Sequence, residues 1–227
     1  MTKLELCKRL RQEASISGDG PASTLNQTGE MLRLVNWIEQ AYEEIQNMRQ
    51  DWLFRTKEFS FQTISGQKIY PKTYGGYTDI RDWKPNSFRV YTTATGIYDE
   101  QWLRYLDYNT HFRDYRDFGA ASTQTGRPFD FSIKPDKSLV LFPIPDATGY
   151  TVKGQYYSTP HQMVTDIDEP IIPEQYQLII VWKALQEYGF YESAQECIAR
   201  GQKNFASYYR DLTFEQAPKP RIGRSLA

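Results

Sequence analysis

The chain is poor in the side chains from which most enzymes build reactive centres. Its 227 residues include two cysteines, Cys7 and Cys197, and two histidines, His111 and His161. The cysteines make no CxxC pair, and the histidines fall into no HExxH or comparable metal-ligand spacing. Free, buried thiols in a reducing setting are the simple reading. Phosphate loops, GxGxxG and GxSxG are absent as well. The sequence therefore predicts no enzyme, no cofactor and no metal. A dominant charge is also missing: 27 Lys and Arg stand against 28 Asp and Glu. That excludes a chain-wide basic field for holding nucleic acid and leaves only local patches. No apolar run reaches the roughly 18 residues of a membrane span. The opening residues Met1 to Leu6 turn polar too soon for a secretory signal.

Aromatic residues are abundant by contrast, at 15%, with 17 Tyr, 12 Phe and 5 Trp. Such a load suits an aromatic-rich core, an extensive protein interface or a sugar-binding surface. Trp83 and Trp102 are the candidates for the last. Some of these rings are expected at contacts between subunits.

Hydrophobic period divides the chain. A first helix is expected from Met1 to about Ser17, with Thr2 and Glu5 as a capping box and Leu4, Cys7, Leu10 and Ala14 on one stripe. A second is expected from about Glu30 to Trp52, where Met31, Leu34, Ile38, Ala41, Ile45, Met48 and Trp52 keep helical spacing. From about 57 to 159 the period shortens. Phe59, Phe61 and Thr63 alternate, Ser65-Gly66 marks a turn, and Lys68-Ile69-Tyr70 reads as the returning strand. Lys72 to Lys84 reads as irregular, and Ser87 to Thr93 as a strand. A short helix is expected around Tyr108, Phe112, Tyr115 and Phe118, then a mobile loop from Ala120 to Arg127. A meander follows through Phe129–Ile133, Leu139–Phe142 and Tyr150–Tyr156. Helix returns at Pro173, breaks or ends at Gly189, and resumes to Leu212 along Phe190, Ala194, Cys197, Ile198, Phe205 and Tyr209.

The expected fold is α+β: a helical bundle built from both chain ends, an inserted antiparallel β-rich domain, and an extended C-terminal arm. The divisions are 1–56, 57–160, 161–216 and 217–227. The helices near 30–52, 173–188 and 190–212 should pack together.

Potential chemistry is sparse. Cys197 with His161 would be the one nucleophile–base pair, but Cys197 sits on an apolar stripe, which favours a buried thiol. Asp166-Ile167-Asp168-Glu169 lacks the glycine and spaced ligands of a calcium loop, so a solvated linker before a helix is the simpler reading. Arg113 to Asp117 mixes signs, as a self-satisfied exposed face or a charged subunit contact. The last eleven residues, from Ala217, have no apolar periodicity, two prolines, three basic residues and no acidic one. That composition suits a peptide that orders in a partner's groove.

The chain as a whole resembles the head-to-tail adaptor proteins of tailed bacteriophages, the head completion or neck proteins that bind the portal. The resemblance lies in Leu34-Val35-Asn36-Trp37-Ile38-Glu39-Gln40-Ala41-Tyr42 running into Asp51-Trp52-Leu53-Phe54, in Pro135 to Pro143, in Tyr150 to Gly154, and in Ile171-Ile172-Pro173-Glu174-Gln175-Tyr176. It implies a structural ring of twelve copies under the portal, in the neck of a virion, made in the host cytoplasm. Such a ring would continue the DNA channel, pass double-stranded DNA without sequence-specific grip, and offer a platform for tail or nozzle proteins. It also implies a portal-binding arm, which maps here onto Phe214, Pro218, Lys219, Pro220, Arg221, Ile222, Arg224 and Leu226. The rival class is an aromatic-rich carbohydrate- or protein-binding module of a virion tail; an enzyme with an unrecognised carboxylate pair is a third.

Overall fold

The structure, a computed structural model, describes residues 1–109, 123–146 and 149–219. It is mixed α+β and divides into two compact units, Met1–Arg55 with Pro160–Ala227, and Thr56–Thr159. The short helix expected around Phe112, Tyr115 and Phe118 lies outside the described residues. So do His111, the charged run 113–117, residues 120–122 of the loop expected from Ala120 to Arg127, and arm residues Pro220 to Ala227.

The first unit is helical. Helix α1, Lys3–Glu13, opens on the expected capping box: Glu5 N–H donates to Thr2 Oγ1, and Thr2 N–H to Glu5 Oε2. It stops four residues before Ser17, and Ser15 adopts φ 58° just beyond its end. Leu6, Cys7 and Leu10 are buried on its inner stripe. Helix α2, Gly29–Asn47, buries Leu34, Val35, Ile38, Ala41, Tyr42 and Ile45.

The expected continuation of α2 to Trp52 is a correction. The chain leaves the helix at Met48, and Trp52 folds back so that its indole N–H donates to Ile45 O at 3.1 Å. Trp52 is fully buried either way, so its place in the helical period was not diagnostic.

Helix α3, Leu178–Tyr191, is apolar nearly all round, with Ile179, Ile180, Val181, Trp182, Ala184 and Leu185 buried. Such a helix belongs in the middle of a bundle, and α3 packs against α1, α2 and the closing helix α4, Gln195–Gln216. Gly189 neither breaks nor ends α3, which is a second correction. Its role is close approach: a Cβ there would stand 2.7 Å from Ile198 Cγ1 and 2.9 Å from Ile198 N.

The two ends of this unit are tied by the acidic run 166–169. Lys3 N–H donates to Asp168 O at 2.8 Å, and Leu4 N–H to Asp166 O at 3.2 Å. The Asp166 carboxylate accepts from Thr24 N–H and Thr24 Oγ1 at 2.6 and 2.5 Å. Asp168 turns its carboxylate onto Val164 and Thr165. A merely solvated linker is therefore the wrong description. These carboxylates satisfy backbone donors that the bundle would otherwise leave open.

The second unit holds two sheets. In the first, β9 (Tyr150–Ser158) pairs with β1 (Thr56–Gln62), β4 (Arg89–Thr92) and β3 (Ile80–Trp83), and β4 also pairs with β5 (Gln101–Trp102). The second has the order β2 (Ile69–Tyr70), β8 (Leu139–Phe142), β7 (Asp130–Ile133), β6 (Arg104–Tyr105). The turn at Ser65-Gly66 does not join a hairpin, because β1 and β2 lie in different sheets. The meander holds for β7 and β8 alone, since β9 crosses to the other sheet. One pair, β6 with β7, is parallel. Strand β3, Ile80–Trp83, occupies the end of the stretch from Lys72 to Lys84 that was expected to be irregular throughout.

Aromatic rings join the sheets. Phe88 stacks on Phe131 with centroids 4.2 Å apart, and Phe61 meets Tyr70 at 5.1 Å. With Phe59, Trp83 and Tyr156 they form most of the core of this unit. Tyrosines also close the outer edge of β1. Ser60 N–H donates to Tyr77 Oη, Tyr77 O–H donates back to Ser60 O, and Tyr74 O–H donates to Gln62 O. An open strand edge is an invitation to pair with another chain, and these hydroxyls remove part of it.

Candidate interaction surface

The groups expected to be chemically inert are held in structural roles. Cys7 is buried, and desolvation pushes its thiol up to about 12, far from the thiolate form that reacts. Cys197 is free and half-buried among core residues of the bundle. His161 is engaged elsewhere. Its Nδ1 lies 3.0 Å from Tyr42 Oη, which also accepts from Ile171 N–H. The backbone of His161 is clamped from both sides by the Gln46 amide. Among the described residues no group of three or more His, Cys, Asp or Glu is placed to hold a metal ion. Among them, too, no helix is long and apolar enough to cross a membrane.

The aromatic platform considered for sugar binding does not form. Trp83 is buried and donates its indole N–H to Lys137 O at 2.7 Å. Trp102 is exposed, but the Arg89 guanidinium stacks on its ring at 4.1 Å. Most of the aromatic surplus is core and edge protection in the β unit.

Among the described residues three surfaces stand out. The first is the end of α4. Of its 22 residues only Ile198, Gly201 and Leu212 are buried. Phe214 is 85% exposed at the last turn, above a shallow depression that Tyr176, Asp211, Glu215 and Lys219 also line. Tyr176 O–H donates to Glu215 at 2.7 Å, and that bond holds the Glu215 carboxyl below its usual range. Of the arm residues named from sequence, the structure places Phe214, Pro218 and Lys219 here. The other five lie outside the described residues.

The second surface is a knuckle of the β unit that the sequence reading missed. A turn of 3-10 helix, Gly96–Asp99, lifts Ile97 and Tyr98 into solvent, at 66% and 94% exposure. Its base is braced by charge. Arg127 makes a forked contact to the Asp99 carboxylate at 3.0 Å and also donates to Val90 O. Glu100 meets Arg89 at 2.5 Å and also pairs with Lys153. Forked arginine contacts give the loop a defined geometry. The available signal was a glycine, here at φ 71°, followed by Ile-Tyr and then Asp-Glu.

The third surface is an open groove of about 650 Å³ on the helical unit. One wall is α2, from Leu32 to Glu43; the others are the loop at 24–26 and residues 161–164, which belong to no helix or strand. Leu25, Leu32 and Val164 expose apolar surface, while Glu39 and Glu43 stand at its rim.

The Asp166 contacts carry a pH prediction. Its hydrogen bonds from Thr24, first the hydroxyl and then the amide, lower its pKa in the folded chain. A carboxyl depressed on folding stabilises above its unfolded pKa, about 3.9, and loses that contribution as pH falls through the folded value. Asp166→Asn is thus expected to lower the urea midpoint at pH 7. The difference from the parent should shrink below pH 4. A difference that stays constant from pH 7 to pH 3 would contradict the assignment.

Comparison with known proteins adds one match. A family model described as SU10 adaptor protein covers residues 1–223. No curated protein matches the chain.

Proposed function

We propose, from the premise that this chain belongs to the SU10 adaptor protein family, that it is a structural, non-enzymatic part of a tailed-bacteriophage particle. The match across residues 1–223 is the observation that carries this reading. Its place is the neck, where twelve copies form a ring under the portal. The ring continues the DNA channel and gives tail or nozzle proteins their attachment surface.

Physical features of the chain support each element. A conduit for DNA must not grip it, and a chain with 27 basic and 28 acidic residues supplies no strong field. A ring needs two different complementary patches on each subunit, repeated until closure. The exposed α4 face and the Ile97–Tyr98 knuckle are two different surfaces available for such contacts. The arm that meets the portal comprises Phe214, Pro218, Lys219, Pro220, Arg221, Ile222, Arg224 and Leu226. Many weak arms held in one ring bind together through avidity.

Sedimentation velocity tests this reading. The protein alone should run as a monomer or weakly associated species, and added portal protein should bring it into one large complex. A stable dimer that ignores portal would overturn it.

A further inference from the structure

One strand edge of the β unit is closed by side chains instead of backbone. We propose that β1 is a latent pairing site for the β1 strand of a second copy of this chain, and that the segment 71–79 is a strap whose tyrosine hydroxyls keep that site shut. The proposal goes beyond the ring reading, which takes the free protein as a monomer without saying what keeps it one. It needs no portal protein to be tested.

Among the described edges β1 is the one that most needs a guard. Strands β2, β5 and β6 are two residues each, and β3 shifts register between Ile80 and Asp82. β1 runs for seven residues, all paired with β9 in unbroken register on one side. Thr63 N–H donates to Tyr150 O on that side, so Glu58, Ser60 and Gln62 turn their N–H and C=O groups the other way. A long, regular edge of this kind is a template for another chain.

The strap meets those groups with phenols. Tyr77 Oη accepts from Ser60 N–H at 2.8 Å and donates to Ser60 O at 3.1 Å, the two bonds that a paired strand would make there. Tyr74 O–H donates to Gln62 O at 3.1 Å. Residues 71–79 form no helix or strand, and β9 is the one strand paired with β1. The strap is tied at its far end: the Asp79 carboxylate pairs with Lys57 and accepts from Tyr156 O–H, and Asp79 O accepts from Thr159 N–H. Gly75, at φ 81°, lets the chain turn tightly, and a Cβ there would stand 2.9 Å from Tyr77 Cε2. Hydroxyls rather than a backbone ladder hold the strap on the edge, so it can leave without parting β1 from β9.

A second β1 fits the uncovered edge. Antiparallel pairing centred on Ser60 sets Ser60 opposite Ser60, Glu58 opposite Gln62 and Lys57 opposite Thr63 of the other copy. No like charges meet, and the outward groups of 58, 60 and 62 form about six backbone hydrogen bonds. The same strand serves both copies, so the contact closes at two. Such a pair would withdraw subunits from a head-to-tail ring, and the strap prevents it.

Sedimentation velocity of the full chain over a range of concentrations tests this. Tyr74→Phe with Tyr77→Phe keeps both rings but leaves Ser60 and Gln62 without their partners. That pair of substitutions should tighten self-association about tenfold or more over the parent, the worth of one or two hydrogen bonds. Tyr74→Ala with Tyr77→Ala also removes the rings from the edge and should tighten it further. Adding Ser60→Pro to the Phe pair deletes the outward N–H at the centre of the contact, and should restore the monomer with an unchanged far-UV spectrum. As a second readout, Ser60→Cys in the Phe pair should be joined by a short bismaleimide to residue 60 of the other copy. Phe and Ala pairs that sediment as the parent does would overturn the proposal. So would a dimer that Ser60→Pro leaves intact and whose cross-links miss residue 60.

Discussion

Ending the chain at Gln216 is expected to abolish portal attachment while leaving the thermal transition of the protein in place. The fold should survive for a physical reason. Helix α4 ends at Gln216, its buried residues are Ile198, Gly201 and Leu212, and among the described residues no core residue lies beyond it. The removed segment, Ala217 to Ala227, has two prolines and no periodic apolar face, the pattern of neither a core helix nor a central strand. Attachment should fail because Ile222 and Leu226 are the only large aliphatic side chains there, and Lys219, Arg221 and Arg224 its only charges. Ordering such a peptide costs on the order of 1–2 kcal/mol per residue in backbone entropy, so each arm alone binds weakly and the ring binds strongly. The measurement is co-sedimentation of the truncated protein with portal, beside its circular dichroism melt. Loss of binding by a hundredfold or more with an unchanged melt is the expected pair, in line with lost avidity. Full binding would show the arm to be dispensable, and a collapsed melt would show it to be part of the fold.

Replacing Trp52 by alanine is expected to have the largest effect on stability. The ring is fully buried, stacks on Phe54 at 5.3 Å and meets Tyr209 edge-on at 6.2 Å. Its N–H satisfies Ile45 O near the end of α2. It thus joins α2 to α4, which is the helix that leads into the arm. Removing a buried tryptophan costs about 3–5 kcal/mol, a large share of the 5–15 kcal/mol that holds an ordinary domain. At about 2–4 °C per kcal/mol, the melting point should fall by roughly 6–20 °C. Trp52→Phe keeps the stacking and loses the hydrogen bond, so it should cost less than half as much. Equal melting points for Trp52→Ala and the parent would contradict the packing described.

Local patterns were legible where neighbours in sequence settle the structure. The Thr2–Glu5 box opens α1, because both of its bonds lie within four residues. The apolar stripe of α2 from Leu34 to Ile45 is buried as its spacing implies. Legibility failed where the partner is distant. Alternation in β9 shows which face is buried but not that its neighbours are β1, β3 and β4 rather than β8. Strand β3 was hidden because Arg81 and Asp82 occupy its centre while only Ile80 and Trp83 are buried. Gly189 looked like a helix stop because a glycine's lack of a side chain serves both a terminus and a close packing contact. The run 166–169 looked solvated because its partners, Lys3, Leu4 and Thr24, lie about 140 residues or more away.

The interaction surfaces divide along the same line. The arm is a proposal from composition alone, since a stretch without apolar periodicity can be picked out without reference to a partner. The groove was not legible. It joins α2 to residues 161–164, more than a hundred positions later, and none of its side chains is unusual alone. The knuckle at Ile97–Tyr98 was equally hidden, because its brace, Arg127, is supplied from a different part of the β unit.

The central claim is that this adaptor acts as a ring subunit on a portal. The most direct test is the mass of the complex formed when an excess of the protein is mixed with portal protein and the complex is purified. The account predicts a single species whose mass corresponds to one portal ring plus twelve adaptor chains, with free adaptor remaining monomeric. A complex with one or two adaptor chains per portal ring, or no complex at all, would contradict it.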